Sequence, residues 1–279
     1  MKRRILVTGC NGYVASNLIA YLRKKHDVMC IGGNSKVNMQ DYESVSNAVK
    51  NSDIILHIAA ITNPFNKDIW KINVQYTKFL VNTSKKFNKR FIYISTQNVL
   101  FGKDNYSKTK REAEKLVKTL KNYVILRPTI IYGEGEKKYI GKVIKLVNNS
   151  FIIPIIGNGK NKLQPIYLKD LMNIIDSCLN KNIKGVFLVA GRSILSYDEL
   201  VNLIIQKLNV VRLKIHVPIF FLRPFAFLFE TFLKNPPITN IQLDNIKFNQ
   251  DYDIIMMKKV FKINPKTIEQ GIDLIIKNE

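Results

Sequence analysis

Cysteine is scarce in this chain of 279 residues: there are 3, and Cys10, Cys30 and Cys178 lie far apart with no Cys-x-x-Cys pair. That argues against a disulfide framework and against a zinc site, so no metal is expected and a reducing, cytoplasmic setting fits best. Acid is short as well, with 21 Asp and Glu against 44 Lys and Arg, a net charge of +23. Such a surplus favours nucleic acid, an anionic membrane surface or a phosphorylated substrate. The basic residues, however, are mostly lysines scattered among Ile and Asn rather than clustered with aromatics, so nucleic acid is not an expected partner. Long apolar runs are also missing at the start. After Met1-Lys2-Arg3-Arg4 the run Ile5-Leu6-Val7 stops at Thr8-Gly9, too soon for the hydrophobic region of a signal peptide. Internal repeats and low-complexity tracts are absent.

What is present suffices for a full core, since 46% of the residues are hydrophobic. In the first half, short β-branched runs alternate with helical stretches. Strands are expected at Arg4–Thr8, Val28–Ile31, Ile54–Ala59, Phe91–Ser95 and Tyr123–Arg127, and helices at Ser16–Lys25, Tyr42–Lys50, Asn73–Phe87 and Ser107–Leu120. This order predicts an α/β fold, a Rossmann-type doubly wound parallel sheet. Beyond about Gly133 the spacing turns irregular, so residues 1–133, with segments returning from the C-terminal half, are expected to form a dinucleotide-binding domain. Residues 134–279 are expected to form mainly a smaller substrate-binding lobe.

The first strand runs into Thr8-Gly9-Cys10-Asn11-Gly12-Tyr13-Val14-Ala15 and then a helix. Gly9 allows the tight turn, Gly12 lets the backbone approach a pyrophosphate, and Ala15 keeps helix and sheet close. Gly9, Asn11, Gly12, Tyr13 and Val14 are therefore expected to bind a dinucleotide. After the second strand comes Cys30-Ile31-Gly32-Gly33-Asn34-Ser35-Lys36, with no acid before Asp41 to bond a ribose diol. Asn34, Ser35 and Lys36 leave room for a 2′-phosphate, so NADP is expected ahead of NAD.

The fourth strand ends in Ser95-Thr96, and Tyr106-Ser107-Lys108-Thr109-Lys110 opens the next helix. Four residues apart, Tyr106 and Lys110 share a helical face. A lysine ammonium beside a phenol lowers the phenol pKa, and a hydroxyl from the strand end can hold a substrate oxygen. Tyr106 would then exchange a proton while nicotinamide exchanges a hydride. His57, by contrast, reads as a packed strand-end residue rather than a general base.

Together these segments resemble the short-chain dehydrogenase/reductase superfamily, in its extended branch of NAD-dependent epimerases and dehydratases. The resemblance extends through Leu56-His57-Ile58-Ala59-Ala60, Asn73, Leu126-Arg127-Pro128-Thr129-Ile130-Ile131-Tyr132-Gly133, Gly157-Asn158-Gly159 and Gln164-Pro165-Ile166-Tyr167-Leu168-Lys169-Asp170-Leu171. It implies that Thr96 holds the substrate oxygen, with Ser95 as fallback, that Tyr106 is the acid/base and that Lys110 binds the ribose. It further implies that Asn38 and Met39 lie beside adenine, Ala59 and Ala60 by the cofactor, and Pro128 near the carboxamide. Gln164 and Tyr167 are implied at the substrate, and Asp170 as the cap of a helix Leu171–Leu179. The implied function is an NAD(P)-dependent enzyme acting on a nucleotide sugar, as epimerase, dehydratase or 4-keto reductase. Two alternatives remain: an NADPH-dependent reductase of a non-nucleotide carbonyl compound, and a non-catalytic dinucleotide-binding subunit like the accessory subunits of respiratory complex I, suggested by Pro237-Ile238-Thr239. Two departures stand out. Ala15 replaces the usual third glycine, and only ten positions separate Thr96 from Tyr106, where sugar-nucleotide epimerases usually carry a longer loop.

The sequence is compatible with a homodimer. For the apolar stretch Val217–Leu233, burial against the second lobe is expected first, a partner contact next and peripheral membrane attachment third.

Overall fold

The computed structural model describes residues 2–32, 39–233, 236 and 238–278. In chain order the elements are β1 (Arg4–Thr8), α1 (Tyr13–Leu22), β2 (Asp27–Ile31), α2 (Tyr42–Asn51), β3 (Ile54–His57), α3 (Thr77–Lys86), β4 (Arg90–Ile94), α4 (Asn105–Val117) and β5 (Tyr123–Pro128). There follow β6 (Ile131–Tyr132), α5 (Ile140–Asn149), β7 (Ile152–Ile156), β8 (Lys162–Leu163), β9 (Ile166–Tyr167), α6 (Leu168–Asn180) and β10 (Gly185–Val189). The last group is β11 (Leu195–Ser196), α7 (Tyr197–Lys207), β12 (Leu213–Val217), α8 (Ile219–Phe232), α9 (Asn240–Asn245), α10 (Ile255–Phe261) and α11 (Ile268–Asn278). They divide into two compact units. The first comprises Met1–Pro128, Leu171–Val189 and Lys259–Phe261; the second comprises Thr129–Asp170, Ala190–Lys258 and Lys262–Glu279.

The first unit is built on a six-stranded sheet in the order β10-β5-β4-β3-β1-β2, every pairing parallel. Its inner strands are apolar on both faces because helices cover both. β3 and β4 are buried throughout and β1 from Ile5 onward, whereas the edge strand β2 alternates with exposed positions. The chain steps outward from β1 to β2, then crosses back to β3 on the other side of β1. That reversal opens a crevice at the carboxyl ends of β1 and β3, where such sheets bind ligands. The sixth strand, β10, was not among the expected strands. It arrives after α6, whose C-terminal end and following turn are held by a guanidinium of β4: Arg90 Nη2 donates to the carbonyls of Cys178 (3.0 Å) in the helix and of Lys181 (3.0 Å) and Ile183 (2.7 Å) just after it.

The expected helix Asn73–Phe87 is two pieces. Lys71–Tyr76 is a π-helical turn and α3 begins at Thr77. The wider turn accommodates two inward-facing polar side chains, Asn73 and Thr77, each of which bonds out of the helix.

In the second unit, short strand pairs β6–β9, β7–β12 and β8–β11 surround a core in which Tyr132, Ile144, Ile155, Tyr167, Leu200 and Ile272 are buried. Asp170 does not begin a helix at Leu171. α6 starts at Leu168, and the Asp170 carboxylate accepts from the Lys266 amide at 2.7 Å, just ahead of α11. The expected burial of the apolar stretch is also corrected, because α8 buries Ala226 alone and Phe220, Phe221, Phe225, Phe227 and Phe232 are exposed. Among the described residues no helix is long and apolar enough to cross a membrane.

Candidate active site

The loop after β1 brings Gly9 against β3. Gly9 has φ +78°, and a Cβ there would come within 2.6 Å of the Ala59 Cα, so neither the turn nor the close approach tolerates a side chain. Its amide donates to the Ile31 carbonyl on β2, and Gly12 returns a bond to the Gly9 carbonyl at 3.0 Å. Gly12 is the N-cap of α1, with no capping side chain and no acid in the first turn. Asn11 and Gly12 are exposed, Tyr13 and Val14 partly buried, and Ala15 is sealed against the sheet. An uncapped helix start behind two glycines fits the pyrophosphate of a dinucleotide, which the amides and the helix dipole attract.

His57, at the end of β3, is fully buried between two hydroxyls, with Nδ1 at 2.7 Å from Thr8 Oγ1 and Nε2 at 2.8 Å from Thr77 Oγ1. Thr77 donates its own proton to the Asn73 carbonyl, and Thr8 Oγ1 accepts the amides of Ile58 and Ala59. The consistent assignment is a neutral ring that donates from Nε2 to Thr77 and accepts at Nδ1 from Thr8. Burial, together with the Lys110 charge, pushes its pKa down to about 3. His57 therefore ties the glycine loop to β3 and moves no proton near neutral pH. Asn73 performs a similar function one layer on: it accepts from the Ile61 amide (2.8 Å) and donates to the Ile61 carbonyl (2.9 Å) and Thr109 Oγ1 (3.0 Å), joining the loop after β3 to α4.

Thr96 follows β4 and caps a short 3-10 turn, Gln97–Leu100, by accepting the Asn98 amide at 3.2 Å. That bond leaves its hydroxyl proton to donate. Ser95, the alternative hydroxyl, is engaged elsewhere, since its Oγ donates to Glu114 Oε1 at 2.7 Å. Tyr106 stands in the first turn of α4, which Asp104 caps by accepting the Ser107 amide. One turn later Lys110 is almost fully buried. Its Nζ donates to the Ile94 carbonyl at 2.7 Å and lies 4.1 Å from the centre of the Tyr93 ring. Burial brings the Lys110 pKa down to about 7, and the Glu114 charge opposes that fall. The strand end with Thr96 and the helix face with Tyr106 and Lys110 are thus joined directly through Ile94.

Three polar residues of this neighbourhood were not expected from the sequence. Glu114, buried on α4 one turn beyond Lys110, accepts from Ser95 and from Arg127 Nε (2.8 Å) and Nη2 (2.5 Å), linking β4, α4 and β5. Its spacing of four from Lys110 was the available signal. Tyr93 Oη and Gln97 Oε1 are buried without a hydrogen-bond partner among the described residues, and single orphaned atoms leave no trace in a sequence.

The other expected residues divide. Pro128 ends β5, paired with Val189, and Ala60 is partly exposed next to Ala59. Met39 packs on the core of the first unit with its Sδ close to Gly32. Asn34, Ser35, Lys36 and Asn38 lie outside the described residues. In the second unit Gln164 is 1% exposed, with both amide protons engaged by the carbonyls of Gly191 and Tyr252 and its Oε1 accepting the Tyr252 amide at 2.6 Å. Tyr167 is equally buried and its hydroxyl donates to the Glu134 carboxylate at 2.8 Å.

Comparison with known proteins bears on the fold and the family. A UDP-glucose 4-epimerase of Vibrio cholerae is 28% identical over 274 residues, covering 82% of this chain and 83% of the relative. The fold is that of dTDP-4-dehydrorhamnose reductase from Bacillus anthracis, solved with NADP (TM-score 0.77, 19% identity, 100% of both chains). It is equally that of dTDP-glucose 4,6-dehydratase from the same organism, solved with NAD (TM-score 0.77, 20% identity, 99% of this chain and 96% of that one). Residues 3–220 match the family model described as the RmlD substrate binding domain, and the chain belongs to that family, within the extended short-chain dehydrogenases/reductases.

Proposed function

We propose that this chain is a nicotinamide-dinucleotide-dependent enzyme that remodels the sugar of a sugar nucleotide by epimerisation, dehydration or 4-keto reduction. The observation that carries the reading is the buried Lys110, one turn after Tyr106 on α4, clamped on the Ile94 carbonyl at the end of β4, two residues before Thr96. A pure scaffold has no need to bury a lysine there. When bound, the dinucleotide supplies the acceptor and donor of hydride. Thr96 donates its free proton to the sugar oxygen, Tyr106 exchanges a proton with that oxygen, and Lys110 favours the phenolate and bonds the ribose. Gly9, Asn11, Gly12, Tyr13, Val14, Ala59 and Ala60 line the dinucleotide, and Pro128 borders the carboxamide. Gln164 supports the substrate side by holding the backbone at Gly191 and Tyr252, and Tyr167 by bonding the Glu134 carboxylate. NADP is the favoured cofactor: the first acid after β2 is Asp41, and its carboxylate caps α2 by accepting the Ser44 amide.

The test is to incubate the purified chain with a panel of UDP- and dTDP-sugars and either cofactor, following absorbance of reduced cofactor and product identity. Tyr106→Phe is expected to lower turnover by about two orders of magnitude or more, with cofactor affinity nearly unchanged. Full activity in that variant overturns the assignment of Tyr106. Cofactor binding without turnover on any sugar nucleotide overturns the proposed function.

A further inference from the structure

The two charged residues of α8 turn towards α9, and all but one of its aromatic residues face outward. Along the inner face, Ile219, Leu222, Arg223, Ala226, Phe229 and Glu230 are buried or half-buried. Arg223 pairs with Asp244 at 2.6 Å, and Glu230 accepts from the Asn240 amide (2.8 Å) and side chain (3.0 Å), so both charges fasten the helix to α9. The outer face is Phe220, Phe221, Pro224, Phe225, Phe227, Leu228, Thr231 and Phe232, with no charge; Phe220 is 77% exposed and Phe232 75%. Leu213 and Ile215 on β12, which leads into α8, are exposed too. An ordinary surface helix has the reverse polarity, and an apolar face of this extent marks a contact.

We propose that α8 is a membrane-surface helix whose aromatic face enters the interfacial layer of an anionic bilayer. With 14 residues it is about 21 Å long, too short to cross a hydrocarbon layer of about 30 Å but suited to lying flat within the headgroup boundary. Charge selects the occupant. The chain carries +23, so a second copy set against this face brings like charge to like, whereas anionic lipid brings the opposite sign. The sequence around the helix agrees: from Lys207 to Lys234 it contains Lys207, Arg212, Lys214, Arg223 and Lys234, against Glu230 as its acid. Three of these, Lys207, Lys214 and Arg223, are ion-paired to Asp273, Asp198 and Asp244, while the Arg212 guanidinium bonds the carbonyls of Val147, Val211 and Asn148, so the attraction rests on the net charge of the chain as a whole.

The experiment is co-sedimentation of the full chain with vesicles of phosphatidylcholine alone and of phosphatidylcholine mixed with phosphatidylglycerol, at low and high salt. Wild type is expected on the mixed vesicles. Phe221→Asp with Phe225→Asp, and separately the milder Phe220→Ala with Phe232→Ala, are expected to lower the partition coefficient about tenfold or more with an unchanged thermal transition. Unchanged vesicle binding by both variants overturns the proposal, since charge alone then carries the attraction. Absence of wild-type binding overturns it as well. If sedimentation velocity then shows a dimer that the variants dissociate, the cover is a second copy.

Discussion

At the scale of single residues, the site was legible where chemistry forces residue type and spacing, and illegible where burial decides. Gly9, Gly12, Tyr106 and Lys110 could be singled out as candidates because a tight turn, a close approach and a helical face impose a pattern on the sequence. Glu114 and Gln97 could not, since nothing local says that one carboxylate is sealed between Ser95 and Arg127 or that one amide oxygen is left alone. Lys110 yields a prediction. Its pKa falls from 10.5 to about 7, first through burial, with Glu114 opposing. The groups that face it are Glu114 from α4, Tyr93 from β4 and His57 from β3. The unfolded chain therefore binds this proton more tightly than the folded one. The penalty on folding is full below about pH 7 and fades as pH rises towards 10.5. Urea unfolding of wild type and Lys110→Met is expected to show wild-type stability gaining on the variant from pH 7 to pH 10. A difference that stays level across that range refutes the buried, titrating lysine.

At the scale of elements, the alternation of strands and helices in the first half was readable, because a sheet buried on both faces writes itself as apolar runs. The break inside the expected helix Asn73–Phe87 was not, because a π turn depends on partners at Ile61 and His57 that are distant in sequence. Strand β10 was missed for a related reason: Val186, Phe187 and Leu188 are only half-buried, and their pairing with β5 spans some sixty residues. In the second unit, α11 packs so closely on β6 that a Cβ at Gly271 would lie 2.1 Å from the Tyr132 hydroxyl, and Tyr132 is itself 1% exposed. Gly271→Ala gains about 1 kcal/mol in helix propensity but overpacks a residue that has nowhere to go. A net loss of about 1–3 kcal/mol is expected in the urea midpoint. A stabilised variant would show that α11 is free to shift.

At the scale of the whole molecule, charge and strand order have separate consequences. A chain at +23 repels itself when compact, and added salt relieves that repulsion. The melting temperature is expected to climb as sodium chloride is raised from roughly 50 to 300 mM, where the screening length shortens through about 10 Å. A flat or falling melting temperature means the charges are already compensated locally. Strand order bears on synthesis. The edge of the first sheet is closed by β10, so when Pro128 has been made, β5 still lacks its outer neighbour, and that neighbour comes only with Gly185–Val189. At about 5–20 residues per second, a ribosome takes roughly 3–12 s to add the 61 residues from Thr129 to Val189. Throughout that interval the nascent chain presents Val124, Ile125 and Leu126 as an unpaired apolar edge, which makes the growing polypeptide, more than the finished one, the natural client of a chaperone.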